Sequence, residues 1–367
     1  MQVLIEFEKK PLLFDHPQAI IQTNRLAEVE NCFAKMEEAL AAGYYLAGYI
    51  SYEAGYAFEN KLHQKDQFDF PLIMLGVYNF PQVQQLTASS QQQESYSLSL
   101  QGYNLSPDQY FSNIHAIKDN IAAGETYQIT FCTKLKFDFS GNTFALYKKL
   151  LRKQPVPYPA FIKTDDFSIL SLSPEMFMKK KGNFITTKPM KGTWPKEKSW
   201  WDNLWAGRKL HFDPKNRAEN IMICDLLRND LGRIGKIVRT PKLFEVAKYT
   251  TLYQMTSTVT AQIDPSISIY KLFAALHPSG SVTGAPKIRS MQLIRELEKE
   301  ERKIYTGAIG YITPNKDLFF NVPIRTLLIE NERGEMGVGG GIVWDSTPEG
   351  EYEECQIKSK FLFDAQN

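Results

Sequence analysis

Cysteine is scarce: Cys32, Cys132, Cys224 and Cys355 are the only four in 367 residues. No two form a CxxC pair, which excludes a thiolate zinc site or a disulfide frame and reads as reduced, packed thiols in a cytoplasmic protein. A surplus of one charge is also missing. The 43 basic and 41 acidic side chains leave a formal charge of +2, too little for a nucleic-acid groove or a membrane-surface role. No apolar run approaches the ~18 residues of a membrane span, and MQVLIEFEKKPLLF lacks the basic-then-apolar order of a signal peptide. No GxGxxG follows a strand-like run, and no internal repeat is present. What is there is ordinary soluble composition, 43% hydrophobic and 23% charged, with enough chain for a substantial core.

Strand-like and helical segments alternate irregularly, which predicts a mixed α+β fold with large sheets. VLIEF opens as a strand, and residues 25–42 place Leu26, Val29, Phe33, Met36 and Leu40 at helical spacing. YYLAGYISY reads as a strand leading into EAGYAFE. Residues 82–97, rich in Gln and Ser, read as a loop. Ser106 is an N-cap, with Pro107 at the first helical position and Gln109 completing a capping box. Gly124 ends that helix, and YQITFCTKLKFDF follows as a strand.

Charged and small residues gather in four places. In SLSPEMF, Glu175 precedes Lys191 of TTKPMKGTWP by sixteen residues. Pro189 and Gly192 frame that lysine as if on a turn of defined shape. A solvated turn lysine and an exposed turn glutamate are the ordinary readings. A buried glutamate would instead be a general acid. RAENIMICDLLRNDLGR predicts a helix apolar on most of its circumference, hence buried, with Glu219 in its first turn and Asp225 pairing with Arg228. SVTGAPKIRSMQLIREL leads small residues into Pro286 at a helix start, with Ile288, Met291, Ile294 and Leu297 on one face; its N-terminus could seat an anion or be a plain glycine-rich entry. In GVGGGIVWDSTPEGEYEECQIKSKFLF, three glycines let a ligand approach the backbone. Glu351, Glu354 and Lys358 then share one helix face, a pattern a solvated charged stripe explains equally well.

Taken in this order, SVTGAPK, AENIMICDLLRNDLGR, IRT and GGGIVWDS…EYEE resemble the chorismate-utilising enzymes, a family that includes the anthranilate, aminodeoxychorismate, isochorismate and salicylate synthases. The resemblance covers residues 105–363 and extends weakly into a more divergent first 100 residues through GYISYEAGYAFE. It implies one α+β domain spanning residues 1–367, built on two packed, mainly antiparallel sheets with outer helices, and chorismate as substrate. It also implies Mg²⁺ held by Glu219 and Glu354, with Glu351 beside them. Tyr311, Arg325, the Gly340–Gly341 backbone and Lys358 match positions that hold a substrate carboxylate. Thr283 and Gly284 match the lining of the ring pocket.

Within the family, Gln128 stands where water-adding members carry a lysine base, which disfavours isochorismate or salicylate formation. Lys191 stands where anthranilate-forming members have a small residue and the aminodeoxychorismate branch has a nucleophilic lysine, with Glu175 matching the acid. Gln254 replaces a histidine of many relatives and cannot titrate as histidine would. The resemblance therefore implies amination of chorismate by ammonia from a glutamine amidotransferase subunit, in 4-aminobenzoate and folate biosynthesis. Anthranilate synthesis and a catalytically silent chorismate-binding protein are the alternatives. The run KSWWDNLW, 198–205, reads as packed core, with a loop over the cleft as the alternative.

Overall fold

The computed structural model describes residues 1–83, 95–195, 200–248 and 252–363. Two antiparallel sheets dominate. The nine-stranded first sheet runs in the order Gly284–Ala285, Gln128–Gly141, Arg333–Ile342, Thr326–Glu330, Phe167–Ser173, Tyr158–Lys163, Gln2–Ile5 and Leu12–Phe14, with Tyr96–Tyr103 also paired to Gln128–Gly141. The ten-stranded second sheet runs from Met190–Pro195 through Leu252–Ile263, Phe184–Lys188, Met176–Lys181, Leu318–Asn321, Ala308–Ile312, Tyr45–Ile50 and Ile73–Tyr78 to Ala19–Thr23, with Gly235–Lys248 also paired to Leu252–Ile263. The α+β expectation holds, with helices outside the sheets.

Period-two alternation explains why both faces of these strands are apolar. Val3, Ile5, Ile169 and Leu328 of the first sheet interleave with Ala47, Tyr49, Met74, Ile309 and Phe319 of the second. The intervening Leu4, Leu170, Leu46 and Ile50 turn outward into a second buried layer that also takes Phe33, Met36 and Leu40 of helix Val29–Ala41. A strand covered on both sides reads as a continuous hydrophobic run, which is the pattern seen here.

Two short passages between the sheets matter for the site. Ser173 ends a strand of the first and Met176 begins one of the second; Asn321 ends a strand of the second and Thr326 begins one of the first. The two crossings are tied together. Ser173 Oγ donates to Val322 O at 2.5 Å, and Val322 N donates to Glu175 O at 3.1 Å. Arg325, at φ 52°, sits in the left-handed region, and its carbonyl accepts from Leu172 N at 3.1 Å.

Several local expectations need correction. The Ser106 capping box is present and its helix spans Pro107–Ala122. The next predicted helix instead spans Pro214–Gly232, capped by Asp213, so Glu219 lies beyond the first turn. That helix is buried on one side only, and Ile221 is 45% exposed. On helix Lys287–Leu297 the buried side chains are Ser290, Met291, Leu293 and Ile294, whereas Ile288 is exposed. Of residues 82–97, 84–94 lie outside the described residues; Gln82 bridges to Leu13, and Tyr96 and Ser97 already belong to a strand. Of KSWWDNLW, 198 and 199 lie outside the described residues, and Trp205 is half-exposed on helix Trp200–Phe212 rather than core. No helix among the described residues is long and apolar enough to cross a membrane.

A buried guanidinium joins the first sheet to the loops around it. Arg302, 3% exposed, pairs with Glu298 through Nη2 at 2.6 Å and Nε at 2.8 Å. It also donates to Thr130 O at 2.6 Å and Val282 O at 2.8 Å. Glu298 in turn accepts from Cys132 N at 3.0 Å, and Tyr52 lies under the guanidinium at 4.5 Å. Removing one member of such a pair leaves a buried charge alone. Arg302→Met is therefore expected to lower unfolding free energy by about 3–5 kcal/mol in urea titration, and Arg302→Lys, which keeps charge without the planar fork, to recover only part of it.

Candidate active site

The site grows from the strand Met190–Pro195. Its pairing with Leu252–Ile263 matches Met190 to Thr256 and Thr193 to Gln254, with a register shift between them. Lys191 therefore lies on a bulge inside a strand and not on a free turn. Proline and glycine bracket bulges as they do turns, since a bulge re-aims a side chain by breaking the ladder locally. Gly192 has φ 93°, and a Cβ there would come within 2.8 Å of Asn216 Oδ1 on helix Pro214–Gly232. Helix and bulge are thus in close contact.

Lys191 is partly accessible and otherwise enclosed. Burial pulls its ammonium below the ordinary lysine range; Glu219, Glu175 and Glu354 oppose that pull, and Lys358 adds to it. Glu175 occupies the first crossing between the sheets and is 3% exposed. Ser281 Oγ donates to its Oε1 at 2.5 Å. Burial pushes the carboxyl up to about 7, against that hydrogen bond, the charge of Lys191 and the N–H of Met190. An amine eased toward neutrality beside a carboxyl that titrates near neutrality is a nucleophile with an acid to hand.

The glycines of strand Arg333–Ile342 explain themselves by what a methyl group would meet. At Gly341, paired with Thr130, it would come within 2.5 Å of Gln128 Nε2 and 2.8 Å of Lys191 Nζ. At Gly340 it would meet Glu351 Oε2 at 2.8 Å, with Glu354 Oε1 at 3.7 Å and Lys358 Nζ at 3.8 Å. The charged face of helix Pro348–Phe363 therefore packs against the glycine strand while staying partly open to solvent, with the Glu354 side chain 51% and Lys358 34% exposed. Lys358 Nζ donates to Gly339 O and binds Glu354, each at 2.6 Å. Burial would raise Glu354, but the ammonium groups of Lys358, Lys191 and Lys215 together hold the carboxyl below its usual range. Glu351 is raised by burial although Ser346 Oγ donates to it at 2.6 Å. Glu219 is raised by burial too, with Lys191, Lys215, Glu354 and Asp213 as its charged neighbours.

Unmatched polar atoms mark the same region. Among the described residues, both amide atoms of Gln128, 1% exposed, lack a hydrogen-bond partner, as do Thr130 Oγ1 and Gln254 Oε1. Buried polar groups are seldom left so, and several together point to a place a polar ligand fills. Thr283 Oγ1 instead turns inward to Ser279 O at 3.1 Å, while Thr283 O accepts from Thr130 N at 2.7 Å. Gly284 pairs with Ile129 and packs against Gln128 O and Ser290. Arg325 stands on the crossing that is hydrogen-bonded to Glu175. Among the described residues no three His, Cys, Asp or Glu side chains converge as a preformed metal cage. Glu219, Glu351 and Glu354 are nevertheless hard oxygen donors in one electrostatic neighbourhood, a set suited to Mg²⁺, which uses one or two carboxylates and leaves the rest to water and substrate.

Tyr311 is not part of this constellation. On strand Ala308–Ile312 it shares the face of Ile309 and lies in the layer between the sheets, its ring 5.9 Å from Phe14 and its charged neighbours Glu8 and Asp317. Tyr305 is the tyrosine beside the glycine strand: it is 7% exposed, close-packed against Gly337, with Cys132 as a side-chain partner. Alternation along GAIGYI carried the signal, since it sends Ile309 and Tyr311 to the same apolar face. Arg302 and Ser281 were also missed; no local pattern announces that they reach Thr130 and Glu175, each more than a hundred residues away.

Comparison with known proteins gives this arrangement a family. The model of the chorismate binding enzymes matches residues 4–364. Aminodeoxychorismate synthase component 1 of Klebsiella aerogenes is 36% identical over 68% of this chain and 56% of its own length. Anthranilate synthase component 1 of Lactococcus lactis is 35% identical over 71% of this chain and 57% of its own length. The chain thus spans little more than half the length of these curated relatives. The fold is shared with the crystal structure of anthranilate synthase component I from Streptococcus pneumoniae, at a TM-score of 0.78 and 23% identity, covering 98% of this chain and 89% of that one. The glycine strand, the bulged lysine and the crossing glutamate thus sit in a chain that belongs to the family of chorismate binding enzymes.

Proposed function

We propose that this chain aminates chorismate to 4-amino-4-deoxychorismate, with ammonia delivered by a glutamine amidotransferase partner. The observation that carries this reading is the Lys191 amine beside Glu175 and the unmatched Gln128 amide. The names of the aminodeoxychorismate synthase relatives lend it support. The neutral Lys191 amine adds at ring carbon 2 as the carbon-4 hydroxyl departs, and Glu175 protonates that hydroxyl so that it leaves as water. Ammonia then forms the new bond at carbon 4 and Lys191 leaves as the free amine. Glu175 regains its proton from the new ammonium group, so atoms and charge balance. Arg325 and Lys358 face the negative charge of the carboxylates, Arg325 with a fork suited to a bidentate grip. Gln128, an amide, cannot serve as the base that activates water.

Mg²⁺ would be held by Glu219 and Glu354, with Glu351 beside them. When bound it would offset charge on the ring carboxylate and draw electron density from the conjugated ring.

Anthranilate formation is the second reading, favoured by an anthranilate synthase relative of similar identity. Incubation with chorismate, Mg²⁺ and ammonia separates the two. Fluorescent anthranilate appearing directly would overturn the proposal; a product that becomes 4-aminobenzoate only after addition of a lyase supports it. Adding a glutaminase subunit is expected to make glutamine an effective nitrogen source.

In the wild-type chain, mass spectrometry during turnover is expected to find a substrate adduct on Lys191. In Lys191→Ala both adduct and amination should vanish, and amination that survives would remove the lysine from the mechanism. Glu175→Gln should slow amination by about 10²–10⁴-fold and remove the fall in rate expected of the wild-type chain as pH rises through about 7.

Stability should respond with the opposite sign. A carboxyl raised on folding penalises the folded state only once it ionises, so its effect is absent below the ordinary range and complete above the folded value. Relative to wild type, Glu175→Gln should therefore gain on the order of 3 kcal/mol between pH 4 and pH 8, measured by chemical denaturation at both.

A further inference from the structure

Glu219 and Glu175 reach the site from unconnected elements, one on helix Pro214–Gly232 and the other on the crossing between sheets. A third element touches both. The 3-10 turn Gly280–Val282 carries Ser281, which binds Glu175, and Gly280, where a Cβ would lie 2.6 Å from Leu226 of the helix. Leu226 and Asp230 follow Glu219 by two and three helical turns at about 3.6 residues each, so all three lie along one face. Asp230 is 4% exposed; its Oδ2 lies 2.6 Å from Lys287 Nζ as an ion pair and accepts no aligned hydrogen bond among the described residues. Lys287 begins the helix that follows the turn and also donates to Leu276 O at 3.3 Å, where helix Ile269–Leu276 ends.

Apolar contact between Leu226 and Gly280 resists separation but tolerates sliding and rotation, because it is non-directional. A single buried ion pair does not, because moving either charge leaves the other uncompensated. We propose that the Lys287–Asp230 ion pair is a positioning device that fixes the rotation and axial register of helix Pro214–Gly232 against the turn, and so keeps Glu219 in step with Glu175 and Lys191. Neither residue reaches the reacting atoms. The pair acts through the helix, and its effect falls on what Glu219 does. This inference rests on the reading of Glu219 as a Mg²⁺ ligand in a chorismate site.

Calorimetric titration of the full chain tests it without relying on turnover. In Lys287→Met, the affinity for Mg²⁺ in the presence of chorismate is expected to fall tenfold or more. Metal-free chorismate affinity should stay close to wild type, while the melting temperature falls because the Asp230 carboxylate is left buried and unpaired. The exchanged double variant, Lys287→Asp with Asp230→Lys, should return Mg²⁺ affinity to within about threefold of wild type, consistent with coupling between two residues in contact. Unchanged Mg²⁺ affinity in Lys287→Met overturns the proposal. So does a parallel loss of metal-free chorismate binding, which is what a merely structural pair would give, and so does an exchanged variant that folds without recovery. Should Lys287→Met not fold, Lys287→Met with Asp230→Leu removes both charges together and is read by the same criteria. A wild-type chain that binds no chorismate defeats the proposed function itself; one that binds chorismate and Mg²⁺ while the variants match it defeats only the positioning role.

Discussion

The rest of the site depends on keeping the Lys191 amine inside the protein among carboxylates. A buried ammonium is unstable alone, and buried carboxylates are unstable together, so each group is tolerated because of the others. Glu219, Glu175 and Glu354 counter the desolvation of Lys191, while Lys358 takes Glu354 as its partner and repels the second amine. The consequence is a graded set of protonation tendencies within one cleft. Glu354 is held as carboxylate, Glu175 is poised near neutrality, and Lys191 is eased toward its free base. Those are the roles a charged ligand, a proton donor and a nucleophile require.

The fold delivers these groups by bringing edges and crossings together. Lys191 comes from an edge strand of the second sheet and Gln128 from the first, and Glu175 from the short passage between them. Gly340 and Gly341 keep the intervening strand thin enough for side chains to crowd its backbone from either side. The apolar layers behind supply rigidity, and Arg302 with Glu298 binds the carbonyls of Thr130 and Val282 from the rear.

Local chemistry in the sequence was legible where one segment contained both halves of an interaction. Ser106 and Gln109 are three residues apart, so their reciprocal cap could be read directly, and the shared face of Glu351, Glu354 and Lys358 followed from helical spacing. Pro189 and Gly192 frame Lys191 in sequence as in structure, yet sequence does not distinguish a bulge from a turn, because the distinction lies in the partner strand. Tyr311 was misplaced because a resemblance assigns a position before alternation has been checked against it. Ser281 with Glu175, Arg302 with Thr130, and Lys287 with Asp230 stayed hidden for a single reason: pairing across the chain is set by topology, and periodicity within a segment carries no information about it.

The hydrogen bonds that join the two inter-sheet crossings give the molecule a mechanical property. Through Ser173 and Val322, the stretch bearing Glu175 is fastened to the stretch that leads to Arg325. Were one sheet to slip against the other, the Glu175 carboxyl and the Arg325 backbone would travel together. Shear between the layers would then alter how this rigid unit meets the lysine on its edge strand, so strain stored anywhere in the sandwich converges on one gap.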